Sequence, residues 1–416
     1  MREDKVLSLE GPAEVDAKSP LEQLITAGAR KMLQAAIEQE VEAYLTAHRG
    51  RQGAEGRATV VRNGHLPERQ LVTGVGPIPV RQPRVRHRDG QSFSSAILPK
   101  YLRRVPSVDA LIPALYLKGV STGDFSEALA AILGENASGL SATNIVRLKA
   151  GWEAEYQAWR QRDLSQKRYV YWWADGIYFN VRLEDARPCV LVVVGALEDG
   201  TKELLAIADG FRESKDSWAE VLRDLKAHGL RQGPKLAIAD GSLGFWLALQ
   251  EAFSPEVDQQ RCWVHKTANV LDKLPKSLQG RAKELLHDIY LAPAHQDALK
   301  AYDRFLTNYQ LKYPKACECL EKDKDTLFSF YHFPAEHWAH LRTTNPIEST
   351  FATVRLRTQR TKGCGSRVAT LTMVYKLGLE AQKTWRRLNG AEKLTKVIGG
   401  IRFVDGLEAT ENQQAA

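Results

Sequence analysis

Three acidic residues of the 416-residue chain stand where a carboxylate is either costly or deliberately aimed. Asp175 is flanked by Tyr171-Trp172-Trp173-Ala174 and Ile177-Tyr178-Phe179. An ionised carboxylate removed from water in such surroundings needs a cation beside it or becomes protonated. Asp240 ends the apolar run that starts at Lys235 and precedes Gly241-Ser242; the carboxyl ends of strands in open sheets are where ligands bind. Glu348 follows Asn345-Pro346-Ile347 at the start of a predicted helix. Each acid has an ordinary structural explanation: a hairpin turn at Asp175-Gly176, a helix N-cap at Asp240, and a capping box from Asn345 to Glu348 with Pro346 in the first helical position. Together they carry more. Two strand-borne aspartates and a helix-borne glutamate converging at one sheet edge repel by about 4 kcal/mol per pair at ~4 Å and an effective dielectric of ~20, so such a cluster requires divalent cations. Oxygen ligands select Mg²⁺ or Mn²⁺ over zinc. Two such ions about 3.5–4 Å apart clamp the attacking and leaving oxygens of an in-line phosphoryl displacement, the chemistry of nucleases and DNA strand transferases.

Other groups invite weaker readings. Cys262 and His265 have the spacing of half a zinc site, with Cys317 and Cys319 as the other half; one intervening residue on a helix, however, points those two sulfurs apart. Arg342, Arg355, Arg357, Arg360 and Lys362 flank Glu348 and suit a DNA backbone, or form a plain solvated basic face. His340, Arg342 and Tyr375 resemble a tyrosine-recombinase box only superficially: one residue separates the histidine from the arginine, where that box needs two. Trp338 is expected in the core.

The elements that must position these residues are legible as changes of period. Leu21 to Ala47 is an amphipathic helix ended by Gly50. From Arg51 to Arg104, short β-branched runs punctuated by Asn63-Gly64, Gly74, Gly76, Pro77 and Pro79 predict hairpins or a small sheet. This segment holds eleven basic and three acidic residues, so it carries the whole formal charge of +8, which points to a polyanion at one place. Arg81, Arg84, Arg86 and Arg88 alternate with apolar or turn residues, and a guanidinium fork suits phosphate. Residues 106–150 predict three short helices that permit a helix-turn-helix, followed by a helical linker. Next come strands over 169–182, 189–197 and 203–209, a capped helix over 214–229, a strand over 235–240, a helix over 241–253 and an extended start at 257. This order, β-β-β-α-β-α-β, predicts an α/β fold with a ribonuclease H-like core. The remainder is helical, with an expected disordered tail from Gly406.

Composition excludes several classes. The opening residues hold no apolar signal segment, and the longest apolar run, Cys189 to Leu197, is far short of a membrane span. Five cysteines without an export signal fit free thiols in a reducing cytoplasm.

Asp175 in YWWADGIYFNVR, Asp240 in LAIADGSLGF, the Cys262–His265 pair in QRCWVHKTANVL and Glu348 in LRTTNPIESTFATVRLRT resemble the Mutator-type transposases of bacterial insertion sequences. So do Gly74-Val75-Gly76-Pro77 with its arginine-rich continuation and YLKGVSTGDF at 116–125. The resemblance runs from about residue 21 to 400 with the motifs in family order. It implies that Asp175, Asp240 and Glu348 are a DDE triad holding two Mg²⁺ or Mn²⁺ ions, with no covalent protein–DNA intermediate. His265, beside the acids, becomes a candidate contact to the scissile phosphate. The 108 residues from Asp240 to Glu348 would hold a helical insertion.

The expected organisation is a tail and helix (1–50), a basic DNA-binding segment (51–105), a helix-turn-helix-like region with linker (106–167), the first part of the core (168–274), the insertion (275–340), C-terminal core helices (341–400) and a tail (401–416). Double-stranded DNA at element ends and target, and a homodimer or larger assembly, are the expected partners. DNA contacts are expected from Arg81, Arg84, Arg86, Arg88, His265, Arg342, Asn345, Arg355 and Arg357. The rival expectation is a non-catalytic DNA-binding protein derived from a transposase.

Overall fold

A computed structural model describes residues 19–52, 56–88, 91–105, 107–108, 115, 142–178, 189–210, 212–253, 257–348, 351–352 and 366–409. The chain divides into two compact units, residues 1–146 and 147–416. The helix-turn-helix expected over 106–150 lies mostly outside the described residues, as do Arg355, Arg357, Arg360 and Lys362.

In the first unit the long helix Pro20–Ala47 starts where the sequence demands it. Ser19 accepts from the Glu22 N–H and the Glu22 carboxylate accepts from the Ser19 N–H, with Pro20 in the first turn. Four short strands follow: β1 (Val60–His65), β2 (Arg69–Thr73), β3 (Gly76–Val80) and β4 (Pro83–His87). β1 pairs with β4 and β2 with β3, both antiparallel. Ile37 of the helix meets Leu71, Ile78, Val80 and Leu98 in a small core. Arg81, Arg84, Arg86 and Arg88 are all exposed; on β4 the pleat places Arg84 and Arg86 on one face.

The second unit is built on a five-stranded mixed sheet of β5 (Tyr169–Tyr178), β6 (Cys189–Leu197), β7 (Lys202–Gly210), β8 (Leu236–Ala239) and β9 (Asp258–Arg261). Its order is β7-β6-β5-β8-β9. β5, β6 and β7 form an antiparallel meander, while β8 and β9 run parallel to β5. The expected succession of strands and helices is therefore present, and the fold is α/β. The runs YVYWWADGIY and CVLVVVGAL are nearly continuous in apolar residues because the sheet is covered on both faces. Trp172 and Ala174 pack with Trp218, Leu222, Phe245 and Leu249 from helices Lys215–Ala227 and Leu243–Phe253. Tyr171 and Trp173 point the other way: Tyr171 meets the Phe333 ring and hydrogen-bonds His337 at 2.8 Å, and the Trp173 indole donates to the His340 carbonyl at 2.9 Å.

Helices Lys276–Tyr290, His295–Tyr309 and Pro314–Glu321 follow β9 as predicted. Edge strand β9 is shielded by the segment after them. Gln260, fully buried, donates to the Leu327 carbonyl and accepts from the Phe330 N–H, blunting an edge that would otherwise template pairing. Trp338 is core, as expected, buried with its indole bonded to the Phe333 carbonyl. One expectation is corrected. Leu407–Glu408 is not a disordered tail but pairs with Phe403–Val404. Asp405 and Gly406 both take positive φ, the Asp-Gly signature of a two-residue hairpin turn. Among the described residues no helix is long and apolar enough to cross a membrane.

Candidate active site

The carboxyl edge of the parallel strands gathers the chemistry. Ala174 of β5 is in register with Ala239 of β8, and Ala239 with Arg261 of β9. The next residue on each chain is Asp175, Asp240 and Cys262, so the three follow one another across the edge; the Cys262 N–H donates to the Ala239 carbonyl at 2.8 Å. Asp175 is in strand, opposite Val192 of β6, and only 4% exposed; the hairpin-turn alternative is thereby set aside. Asp240 is not the helix N-cap: the helix starts at Leu243, and the Asp240 Oδ1 accepts from the Ser242 N–H at 2.8 Å in the turn before it. Gly241 turns the chain at φ 89°, and a Cβ there would strike the Arg261 side chain.

Glu348 reaches this edge by a different route. The Trp263 N–H donates to the Arg342 carbonyl at 2.9 Å, which lays the segment before Glu348 against the end of β9. Residues 345–348 are helical. The helix begins one residue earlier than the capping-box expectation: Thr344, not Asn345, supplies the carbonyl that accepts from the Ile347 and Glu348 N–H groups, at 2.8 and 3.1 Å. The Thr344 hydroxyl lies 3.1 Å from Glu348 Oε1 and 3.3 Å from Cys262 Sγ, and its one proton can go to either. His265 Nδ1 stands 3.5 Å from the same Oε1. Burial alone would disfavour a charged His265, but the Cys262 sulfur, Asp175 and Glu348 outweigh it and raise its pKa to about 9. In the same exchange, burial would raise the Cys262 thiol, yet its bonds to His265 and Thr344 hold it below the ordinary thiol range. The Asp175 charge acts on His265 alongside that of Glu348, so the histidine lies within reach of both acids.

Sequence reasoning missed Glu213. It sits between β7 and the helix capped by Ser214, and its side chain fills the place that a Cβ on Gly176 would occupy. Burial, then the charges of Asp240 and Asp175, push its carboxyl up to about 7. The only signal in the sequence was an acid next to a helix cap, which has a sufficient local explanation. Its backbone carbonyl also accepts from the Ser242 hydroxyl at 3.1 Å, tying it to the turn after Asp240.

Behind the site, Asp323 of the helical region accepts from Arg261 Nε at 3.1 Å and pairs with Lys266. Arg342 does not point freely at solvent: its half-buried guanidinium lies over the Phe330 and Trp338 rings, 4.8 and 5.3 Å from their centroids. Asn345 is exposed. Cys317 and Cys319 lie on helix Pro314–Glu321, and the cluster of potential metal ligands among the described residues joins Cys262 and His265 to Glu348 instead.

A sequence profile described as "Transposase, Mutator family" matches residues 2–388. The transposase for insertion sequence element IST2 of Acidithiobacillus ferrooxidans is 50% identical over 301 residues, covering 70% of this chain and 99% of that protein. The transposase for insertion sequence element IS6120 of Mycolicibacterium smegmatis is 51% identical over 296 residues, covering 71% of this chain and 91% of that protein. More distantly, the transposase for insertion sequence element IS256 in transposon Tn4001 of Staphylococcus aureus is 31% identical over 301 residues, 71% of this chain and 74% of that protein. With a profile spanning nearly the whole chain and relatives at half identity over most of their own length, the chain belongs to the Mutator family of transposases.

Proposed function

We propose that the chain is a DDE-type DNA transposase, which binds the terminal inverted repeats of an insertion sequence and carries out metal-dependent strand cleavage and strand transfer. The observation that carries this reading is the shared register that sets Asp175 beside Asp240 at the carboxyl edge of the sheet, with Glu348 delivered to the same edge by the segment docked on Cys262. The strand order β7-β6-β5-β8-β9, with β6 alone antiparallel to its neighbours on both sides, supports a ribonuclease H-like core.

The residues present fit divalent cations. Buried carboxylates whose charges act on one another, as those of Asp175 and Asp240 do on Glu213, are stable together when cations neutralise them. Asp175, Asp240 and Glu348 would hold Mg²⁺ or Mn²⁺, and Glu213, on which the charges of both aspartates act, would add an oxygen donor near them. Such ions, when bound, stabilise the charge that develops on the phosphoryl oxygens. The chain does the rest. Strand β5 and the end of β8 fix the aspartates, and Thr344 orients Glu348. His265, whose pKa the Cys262 sulfur, Asp175 and Glu348 raise in the metal-free chain, would hold a phosphate oxygen. Water cuts a strand at each element end, and the freed 3′-hydroxyl then attacks a target phosphodiester. Exposed Arg81, Arg84, Arg86 and Arg88 hold the DNA backbone, and the pairing of two ends calls for a dimer or larger assembly.

The test is cleavage of a labelled element end with Mg²⁺ by wild type and Asp240→Asn. Both should bind the end and only the wild type should cut it, with a loss of at least about a thousandfold in the variant. Binding by both proteins and cutting by neither would make the chain a non-catalytic DNA-binding protein.

A further inference from the structure

Sulfur and imidazole donors stand beside the carboxylates, and hard cations have no use for them. Cys262 Sγ, His265 Nδ1 and a Glu348 carboxylate oxygen all lie within 4.8 Å of one another. Nδ1 and Oε1 are 3.5 Å apart, close to the ~3.4 Å edge of a tetrahedron with metal–ligand bonds of about 2.0–2.1 Å. Cys262 is more than a core thiol. Its sulfur accepts from the Thr344 N–H and can accept from the Thr344 hydroxyl, each at 3.3 Å. It also occupies the N-cap of helix Trp263–Leu271, where a thiolate is favoured. Donors of this kind orient a metal-bound sulfur. Cys262 itself is fully buried, but the side chains of His265 and Glu348 are 31% and 25% exposed, so the cluster is floored by sulfur and open to solvent on the other side. An ion has a way in.

We propose that Cys262, His265 and Glu348 bind one zinc-class cation. The sulfur and His265 Nδ1 coordinate in their deprotonated forms, the thiol proton and the imidazolium proton both leaving to solvent. A thiolate, an imidazole and a single carboxylate select zinc over magnesium by softness. Three protein ligands with an open fourth position is the pattern of a zinc that takes water or a substrate oxygen, rather than one that only fastens a fold. The site shares Glu348 with the proposed magnesium site, Oε1 being the oxygen that faces His265, but the binding does not require that the chain cut DNA.

Metal-free full-length protein titrated with Co²⁺ tests it. The expected result is a tetrahedral cobalt spectrum with a thiolate-to-cobalt charge-transfer band, saturating at about one equivalent, reversed by Zn²⁺ and retained in excess Mg²⁺. Cys262→Ser, with an unchanged circular dichroism spectrum, should abolish the charge-transfer band, and Cys319→Ser should keep it. His265→Gln, a second check should Cys262→Ser fail to fold, should weaken cobalt binding by roughly tenfold or more. Asp240→Asn should retain the band while losing cleavage, which separates this site from the proposed function. A wild-type protein without the band, or a band that survives Cys262→Ser, overturns the proposal.

Discussion

At the scale of single residues, the candidate site sets the charges of Asp175, Asp240, Glu213 and Glu348 against that of His265. Asp175 is almost wholly enclosed, and Glu213 is half-buried where the charges of Asp240 and Asp175 reach it. Carboxylates so placed destabilise the metal-free fold and favour it once cations bind. Glu213→Gln removes one charge and keeps the volume. In metal-free protein at pH 8 this variant should be more stable than wild type, by on the order of 1–2 kcal/mol in urea unfolding. In Mg²⁺ it should gain less from the ion than wild type does. A variant less stable than wild type in both conditions would mean that the Glu213 carboxylate is instead satisfied by protein donors. Gly176 shows how closely the two segments meet: Gly176→Ala brings a methyl group into the flexible end of the Glu213 side chain, which can swing aside, so the expected cost is about 1 kcal/mol or less, read as a small shift of the urea midpoint.

At the scale of elements, the site depends on how firmly the helical region is fastened to the sheet. Lys202 of β7 is buried against the Trp173 ring, with its ammonium 3.0 Å from His340 Nδ1 and 3.0 Å from the Arg386 carbonyl. His340 is two residues from Arg342, whose carbonyl receives the Trp263 N–H. Burial and then the neighbouring Lys202 lower the His340 pKa to about 4. The unfolded chain, with an ordinary histidine near 6.5, therefore binds more protons between those values. Stability should fall as pH drops from about 6.5 to 4, and this contribution should be flat above and below that window. Because water reaches part of the ring, the loss should be on the order of 1–2 kcal/mol rather than the full value of the shift. His340→Asn should flatten that part of the stability–pH curve. An unchanged slope would assign the acid sensitivity to other groups.

At the scale of the whole molecule, charge and chemistry are segregated along the chain. The segment from Arg51 to Arg104 carries the net positive charge, while the acids sit in the second unit. Under the proposed function, affinity for DNA and chemistry upon it should therefore be separable by mutation. Replacing Arg84, Arg86 and Arg88 together with alanine should weaken binding to element ends and to unrelated duplexes alike. If all three meet phosphates, the slope of log K against log salt should drop by up to about 2.7, since each phosphate contact contributes ~0.9. Fluorescence anisotropy across a salt series measures this, and an unchanged slope would make these arginines a solvated face.

The sequence determined the order of the strands and helices, because β-branched and aromatic runs, glycine turns and capping residues act over a few neighbours. It also singled out Asp175 and Asp240, since an acid inside an apolar run, or at the end of one, is conspicuous without coordinates; Glu348, which a capping box explains locally, stood out only beside them and through the resemblance of its motif. Only tertiary structure decided that the turn alternative at Asp175-Gly176 is wrong, because pairing with Val192 and the parallel register to Ala239 come from strands distant in sequence. It decided that Glu213 joins the acids, since the space above Gly176 exists only once β5 and the loop after β7 are packed together. It placed Arg342 on aromatic rings and set Cys262 and His265 against Glu348 rather than with Cys317 and Cys319. Local preference is written in adjacent residues; which distant side chains share one small volume depends on how large buried surfaces fit, and only the packed chain settles that.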